Sequence, residues 1–402
     1  MIPKGWNKKT FGDVLNLKNG FAFKSQYFFS EPKTYICVTP GNFYEKGGFK
    51  IIPEKIKFYD GDIPDGYILN KGDLIVAMTE QAQGLLGSAA IIPESNKFLH
   101  NQRLGLIEQK STTDINYLYY LFNSKGVRKQ ITETSTGTKV KHTSRDKIQS
   151  VTILIPPVIE QQKIAKILST WDEAIEKLEK LIEAKKLRKK GLMQQLLTGK
   201  KRFDGFDGEW EEKTLGDMGE LVRGLTYSPD DVRENGLLVL RSSNVQKSRL
   251  TLGDNVYVEK ELDDKYYSKS GDILICVRNG SRNLIGKNAI INDECPKATH
   301  GAFMSIYRSE FFSYIFQLLQ TGFYYKQVHR NLGATINSIN NSDLRKFKFN
   351  IPPLDEQQAI SSFFEVADKE VELLIKRKNK LSYEKKGLMQ QLLTGKKRVK
   401  ID

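Results

Sequence analysis

Cysteine is scarce in this 402-residue chain: Cys37, Cys276 and Cys295 are the only three, and they lie far apart. That spacing excludes a disulfide framework and the close cysteine pairs of a structural zinc site, so the three read as reduced core or surface residues. Histidine is scarce too. His100, His142, His300 and His329 are widely separated, no H-E-x-x-H run occurs, and each reads as a surface or hydrogen-bonded residue. Long apolar runs are missing. The opening "MIPKGWNKKTFGDVLNLKNG" has no signal-peptide core and no other stretch reaches bilayer length, so the expectation is a cytoplasmic protein, neither exported nor membrane-embedded.

The machinery of an enzyme is also lacking. No G-x-S-x-G nucleophile elbow is present. The triplets Ile155-Pro156-Pro157 and Ile351-Pro352-Pro353 look superficially like the Asn/Asp-Pro-Pro-aromatic motif of amino-methyltransferases, but they lack both the amide or carboxylate and the aromatic. "GSRNLIGKNA" from Gly280 holds a Gly-Lys pair like a phosphate loop. Its spacing is one residue too long, Asn288 follows Lys287 where Ser or Thr is needed, and it sits between two strand-like runs. No catalytic residue, metal ligand or cofactor is assigned to this chain.

What is present is ordinary in bulk and unusual in arrangement. Hydrophobic residues make up 39% and charged residues 28%, as in globular proteins, and the length allows two or three domains. The net charge of +15 is concentrated. Glu176–Arg202 carries ten Lys and Arg against three Glu, Lys376–Lys400 carries ten against one, and the remainder is close to neutral. Such runs are either a solvated helix face or the footprint of a polyanionic partner.

Internal repetition organises the chain. "KKGLMQQLLTGKKR" occurs at Lys189–Arg202 and again, identically, at Lys385–Arg398, an offset of 196. At the same offset "IPPVIEQQKIAKILS" from Ile155 answers "IPPLDEQQAISSFFE" from Ile351. "GWNKKTFGDVLNLKNG", ending at Gly20, answers "EWEEKTLGDMGELVRG", ending at Gly224, and "KGDLIVAM" around Gly72 answers "SGDILICV" around Gly271. The order is variable globule (1–156), shared helix (157–200), variable globule (201–352), shared helix (353–402). Two such copies suit pseudo-two-fold symmetry and a ligand with two similar faces, as a duplex has.

After the Pro pairs, apolar residues recur in steps of four and three, which is a coiled-coil seam: Ile164, Leu168, Trp171, Ile175, Leu178 and Ile182, then Ile360, Phe364, Ala367, Val371 and Leu374. Each helix should stop near Thr198 and Thr394, where Gly199 and Gly395 offer a left-handed cap. About forty residues at roughly 1.5 Å each make a rod on the order of 60 Å. A helix with one narrow apolar stripe needs a partner, so the two copies are expected to pair antiparallel; the alternative is two independent helices, each folded onto its own globule. The globules read as mixed α/β, with strand-like runs at Asp73–Met78, Ser88–Pro93 and Asp272–Val277 and helical stretches at Ile115–Ser124 and Phe311–Gln320.

Two kinds of loop carry side chains suited to DNA. "TEQAQG" offers Thr79, Glu80, Gln81 and Gln83, and the equivalent "RNGSRN" offers Arg278, Asn279, Ser281 and Arg282. Arg pairs in bidentate fashion with guanine and Gln or Asn with adenine, although a solvated hairpin tip would look alike. Before each helix, "GTKVKHTSRDK" from Gly137 supplies Lys139, Lys141, His142 and Arg145. The aligned "GATINSINNSD" from Gly333 supplies Asn337, Ser338, Asn340 and Asn341. These suit phosphate positioning with some base readout, or helix capping around Ser342 and Asp343.

The doubled openings, the "GD(I/L)" strands, the Gly-Thr or Gly-Ala stretch leading to "IPP…EQQ", and the doubled "KKGLMQQLLTGKK" together resemble type I restriction specificity subunits over essentially the whole chain. The resemblance implies two target-recognition domains separated by two long antiparallel helices, each domain reading one half of a bipartite double-stranded DNA site. It also implies two modification (methyltransferase) subunits and motor-nuclease restriction subunits as partners, which bring S-adenosylmethionine, ATP and Mg²⁺. No base contact is carried over, because the reading loops differ between family members. Two other readings of the residues remain: a stand-alone bidentate DNA-binding adaptor, and a helical protein-interaction scaffold.

Overall fold

The strand-like runs are short and wholly apolar at their centres, and such segments need cover on both faces. The structure, a computed structural model, describes residues 2–80, 84–110, 112–137, 140–332 and 337–401. It divides into two compact units, Met1–Glu179 with Lys376–Asp402, and Lys180–Ile375. Compactness thus groups the chain differently from its linear order, because each long helix gives its two ends to different units.

In the first unit β1 (Leu15–Asn19), β2 (Leu74–Ala77), β3 (Ala89–Ile91) and β4 (Leu104–Gln109) form an antiparallel sheet of order β1-β4-β2-β3. All four residues of β2 are buried, and they alternate between two cores. Leu74 and Val76 pack with Leu15, Leu17, Ile107 and the helices Ile115–Phe122 and Lys125–Glu133. Ile75 and Ala77 face Ile36, Phe98 and Leu104. Here Tyr35–Cys37 runs parallel to Phe98–Leu99 within a second, five-stranded sheet.

The second unit repeats this plan. Its strands β5 (Glu220–Arg223), β6 (Ile273–Cys276), β7 (Asn288–Ile290) and β8 (Met304–Arg308) stand in the order β5-β8-β6-β7, again antiparallel. Ile273 and Ile275 enter one core while Leu274 and Cys276 enter the other, and Leu237–Leu240 lies parallel to Ala298–His300. The mixed α/β reading of the globules therefore holds, with the expected strands and helices within a few residues of their sequence positions. All three cysteines are free.

The histidines at equivalent places, His100 and His300, are fully buried. Each Nε2 lies against a backbone carbonyl, Leu104 O at 3.1 Å and Val222 O at 3.0 Å. A carbonyl only accepts, so Nε2 carries the proton and donates, and both Nδ1 atoms are buried without a partner. Burial holds both imidazoles down at about 4. His142 and His329 are exposed.

Helix α1 (Val158–Leu196) and helix α2 (Leu354–Leu392) begin directly after the proline pairs, which lack the donors that a first turn leaves idle. Both stop as expected. Gly199 and Gly395 adopt φ of +70° and +69°, the left-handed region where glycine carries no steric cost.

Within each unit the start of one long helix meets the end of the other, antiparallel. In the first unit Glu160, Asp172 and Glu179 pair with Arg398, Lys385 and Lys378, so partner numbers fall as helix numbers rise. In the second, Lys185, Lys189 and Arg202 pair with Glu370, Asp368 and Glu356. Of the expected seam, Ile164 and Leu168 cluster with Leu392 and Leu393, and Ile360 and Phe364 with Met193, Leu196 and Leu197. Ile182 is buried; Trp171, Ile175, Leu178, Ala367, Val371 and Leu374 are half-buried. The antiparallel pairing therefore holds and the helices are not independent, while the same clusters also contain residues of the globule that each helix end adjoins.

The repeated sequence blocks converge on one contact in each unit. Glu160, fully buried, accepts from Arg398 Nε (2.6 Å), Arg398 Nη2 (2.7 Å) and Trp6 Nε1 (3.1 Å). Glu356, also fully buried, accepts from Arg202 Nε (3.0 Å), Arg202 Nη2 (2.7 Å) and Trp210 Nε1 (3.1 Å). The tryptophan comes from the opening block, the glutamate from "EQQ" and the arginine from "GKKR". A planar fork matched to a carboxylate satisfies a charge that burial would otherwise penalise.

Candidate nucleic-acid interface

In the second unit, the backbone leaving β6 is held on both sides. Val277 N and Arg278 N both donate to Phe303 O (3.0 and 3.1 Å), Ile339 N donates to Val277 O (2.9 Å), and Asn279 N donates to Asn337 O (3.2 Å). Arg278 and Ser338 form an antiparallel bridge. The loop from Arg278 and the segment from Asn337, separate in the sequence, are therefore one surface.

The side chains on this surface divide by role. Arg278, Ser281 and Arg282 are exposed. Asn279 donates to Ser242 Oγ (2.9 Å) and accepts from Ser281 N (3.0 Å), which fixes the turn that carries them. Asn337 donates to Gly280 O (3.0 Å), tying the two segments together. Asn340 is the N-cap of the helix Asn341–Arg345, its Oδ1 accepting from Asp343 N (2.8 Å), so capping occupies the carbonyl end of its amide. Lys287 is turned inward, donating to Ser242 O (2.6 Å) and Val245 O (3.1 Å).

The first unit builds the same surface with other residues. Thr79–Glu80 pairs antiparallel with Lys141–His142, Thr143 N donates to Met78 O (2.9 Å), and Met78 N donates to Arg103 O (2.9 Å). Thr79 and Lys141 are half-buried, while His142 and Arg145 are exposed, Arg145 opening a helix capped by Ser144. Gln81, Gln83 and Lys139 lie outside the described residues.

Glu80 takes a different part from the one expected. It is buried, and its Oε2 accepts from the amides of Gly84 (3.1 Å), Leu85 (2.8 Å) and Leu86 (2.7 Å). Arg128 grips the same segment, donating to Leu86 O (2.8 Å) and Gly84 O, and ties it to Glu45 O (3.3 Å). Burial lowers the Arg128 guanidinium to about 10, and it remains charged at neutral pH. Glu80 thus faces inward instead of toward solvent, its Oε2 holding three backbone donors.

Two exposed residues on these surfaces escape sequence reading, Arg103 and Phe303. Each accepts at its carbonyl from the residue just after the central strand, Met78 or Val277, so they are structural equivalents. Their only sequence signal is a place just before β4 and β8. Among the described residues no group of three or more His, Cys, Asp and Glu could hold a metal ion, and no helix is long and apolar enough to cross a membrane.

The family model described as type I restriction modification DNA specificity domain matches twice, over residues 3–186 and 207–383. A type I restriction enzyme MjaVIII specificity subunit from Methanocaldococcus jannaschii is 29% identical over 304 residues, covering 70% of this chain and 70% of its own. A putative MjaX specificity subunit of the same organism is 28% identical, covering 99% of this chain and 95% of its own. The crystal structure of a type I restriction-modification system S subunit from M. genitalium matches at a TM-score of 0.59 and 16% identity, covering 98% of this chain and 96% of that one.

Proposed function

Since this chain belongs to the type I restriction-modification specificity family, we propose that each unit reads one half of a bipartite double-stranded DNA site through the paired-loop surface described above. One observation carries this reading. In both units a backbone ladder joins two sequence-distant polar segments into one surface, on matching frameworks but with different exposed side chains. Equal frameworks with unequal reading groups are what two different half-sites require.

On this reading the chain directs methylation and cleavage without performing either. Two modification subunits and the motor-nuclease subunits join it in the cytoplasm and bring S-adenosylmethionine, ATP and Mg²⁺. Exposed Arg145 in the first unit, on the same segment as Lys141, and exposed Arg282 in the second supply phosphate contacts, and exposed His142 adds a polar contact in the first. The test is methylome sequencing of cells with and without this chain, beside gel shifts at graded salt. A bipartite motif that disappears with the chain is expected, with affinity falling steeply in salt; replacing Lys141 by Ala should lower the salt slope by about 1. An unaltered methylome refutes the reading.

A further inference from the structure

We propose that Arg278 and Phe303 form a preassembled guanine reader, in which the exposed Phe303 ring is a positioning residue that holds the Arg278 guanidinium for bidentate contact with guanine O6 and N7. This rests on the DNA-reading assignment above and adds to it a base, an atom pair and a second residue.

The backbone fixes both partners. Phe303 O accepts from Val277 N (3.0 Å) and Arg278 N (3.1 Å), while Arg278 bridges Ser338 on its other side. The arginine therefore leaves from a ladder with neighbours on both edges, not from a free loop tip. Its guanidinium carbon lies 5.0 Å from the centroid of the Phe303 ring. A cation over an aromatic face at that distance is attracted by the ring quadrupole, which restricts the orientation of the fork.

The ring contributes little to the core, since Phe303 is 55% exposed. The arginine contributes little to the fold either. Arg128, Arg202, Arg308 and Arg398 all give donors to carbonyls or carboxylates of their own unit. Arg278 has no such acceptor among the described residues, and the aromatic contact is the one its guanidinium makes. A planar fork with its donors open is complementary to the two acceptors on guanine's major-groove edge. Adenine sets its amino donor against the fork, so it is discriminated. In the first unit Arg103 occupies the place of Phe303, so this device serves one half-site alone.

The test uses the full chain in its host cell, with Arg278→Ala, Phe303→Leu and Phe303→Tyr, and reads the methylated motif base by base. Arg278→Ala should relax one guanine position by on the order of ten- to a hundredfold while other positions keep their preference. Phe303→Leu should relax the same position by a smaller factor, and Phe303→Tyr, which restores the π face, should recover it. The inference is overturned if the relaxed position is not guanine or if the two variants relax different positions. It is equally overturned by Phe303→Leu changing nothing, or by Arg278→Ala lowering methylation evenly at every site, the mark of a phosphate contact. Failure of the parent reading looks different, because the unmodified chain would then leave the methylome unaltered.

Discussion

Acidification should destabilise this protein well above the range in which its carboxylates titrate. His100 and His300 are fully buried, each held neutral at about 4 against an ordinary 6.5, chiefly because burial penalises the imidazolium. The sign follows from proton counting. Between pH 6.5 and 4 the unfolded chain binds these protons and the folded chain does not, so stability falls as pH falls through that window and is unaffected by these groups above it. At pH 5 the effect is about 2 kcal/mol for each histidine, rising to about 3 kcal/mol by pH 4. Asp13, Asp217 and Asp231 have lowered pKa values, each with a backbone hydrogen bond among the causes, and act only below the ordinary carboxylate value of 3.8. Urea titrations at pH 7, 6 and 5 on the protein and on His300→Gln, which keeps a donor for Val222 O, measure the effect. The unaltered protein should lose most stability between pH 6 and 5, and the variant should lose less. Equal midpoints from pH 7 to 5, or identical pH slopes for the two proteins, would show that the buried imidazoles do not set the acid sensitivity.

Two further outcomes follow from buried carboxylates. Glu356→Gln should lower the stability of the second unit by about 2 kcal/mol, because hydrogen bonds to a charged acceptor are stronger than those to a neutral one. In a unit of this size that is a shift of about 4–8 °C in Tm, whereas Glu212→Gln, in an exposed pair of the same unit, should shift it little. Glu80→Ala removes the acceptor of three amides, so hydrogen exchange at Gly84, Leu85 and Leu86 should accelerate while the central sheet keeps its protection. Unchanged exchange there would remove Glu80 from its assigned role.

Much of the fold was legible because the chain states it twice. The recurring "GD" strands, the proline pairs and the glycine caps act locally, so their positions follow from residue type alone. The seam residues Ile164, Leu168, Ile360 and Phe364 were equally visible from their spacing. The surface was legible only in parts. Arg278 and Ser338 stood out as polar, but their pairing depends on a ladder between segments sixty residues apart, which no local pattern encodes. Glu80 looked like its polar neighbours; only the three converging amides show that it faces inward. Nothing in the sequence marks Phe303, and its exposure results from the turn that precedes β8. The glutamate of "EQQ", the arginine of "GKKR" and the opening tryptophan were each seen as repeats, yet nothing in the sequence said that they meet.

The duplicated glutamate contact has a consequence for half of this chain taken alone. A helix of 39 residues rises about 58 Å, so the arginine beyond its last turn cannot return to the glutamate in its first. Recombination between the two identical fourteen-residue stretches would delete 196 residues and leave one globule, one helix, one glutamate and one arginine. Such a half-length product carries both parts of a lock that it cannot fasten on itself. Two molecules exchanging arginines head to tail would fasten both, so the covalent link between the halves can be replaced by self-association.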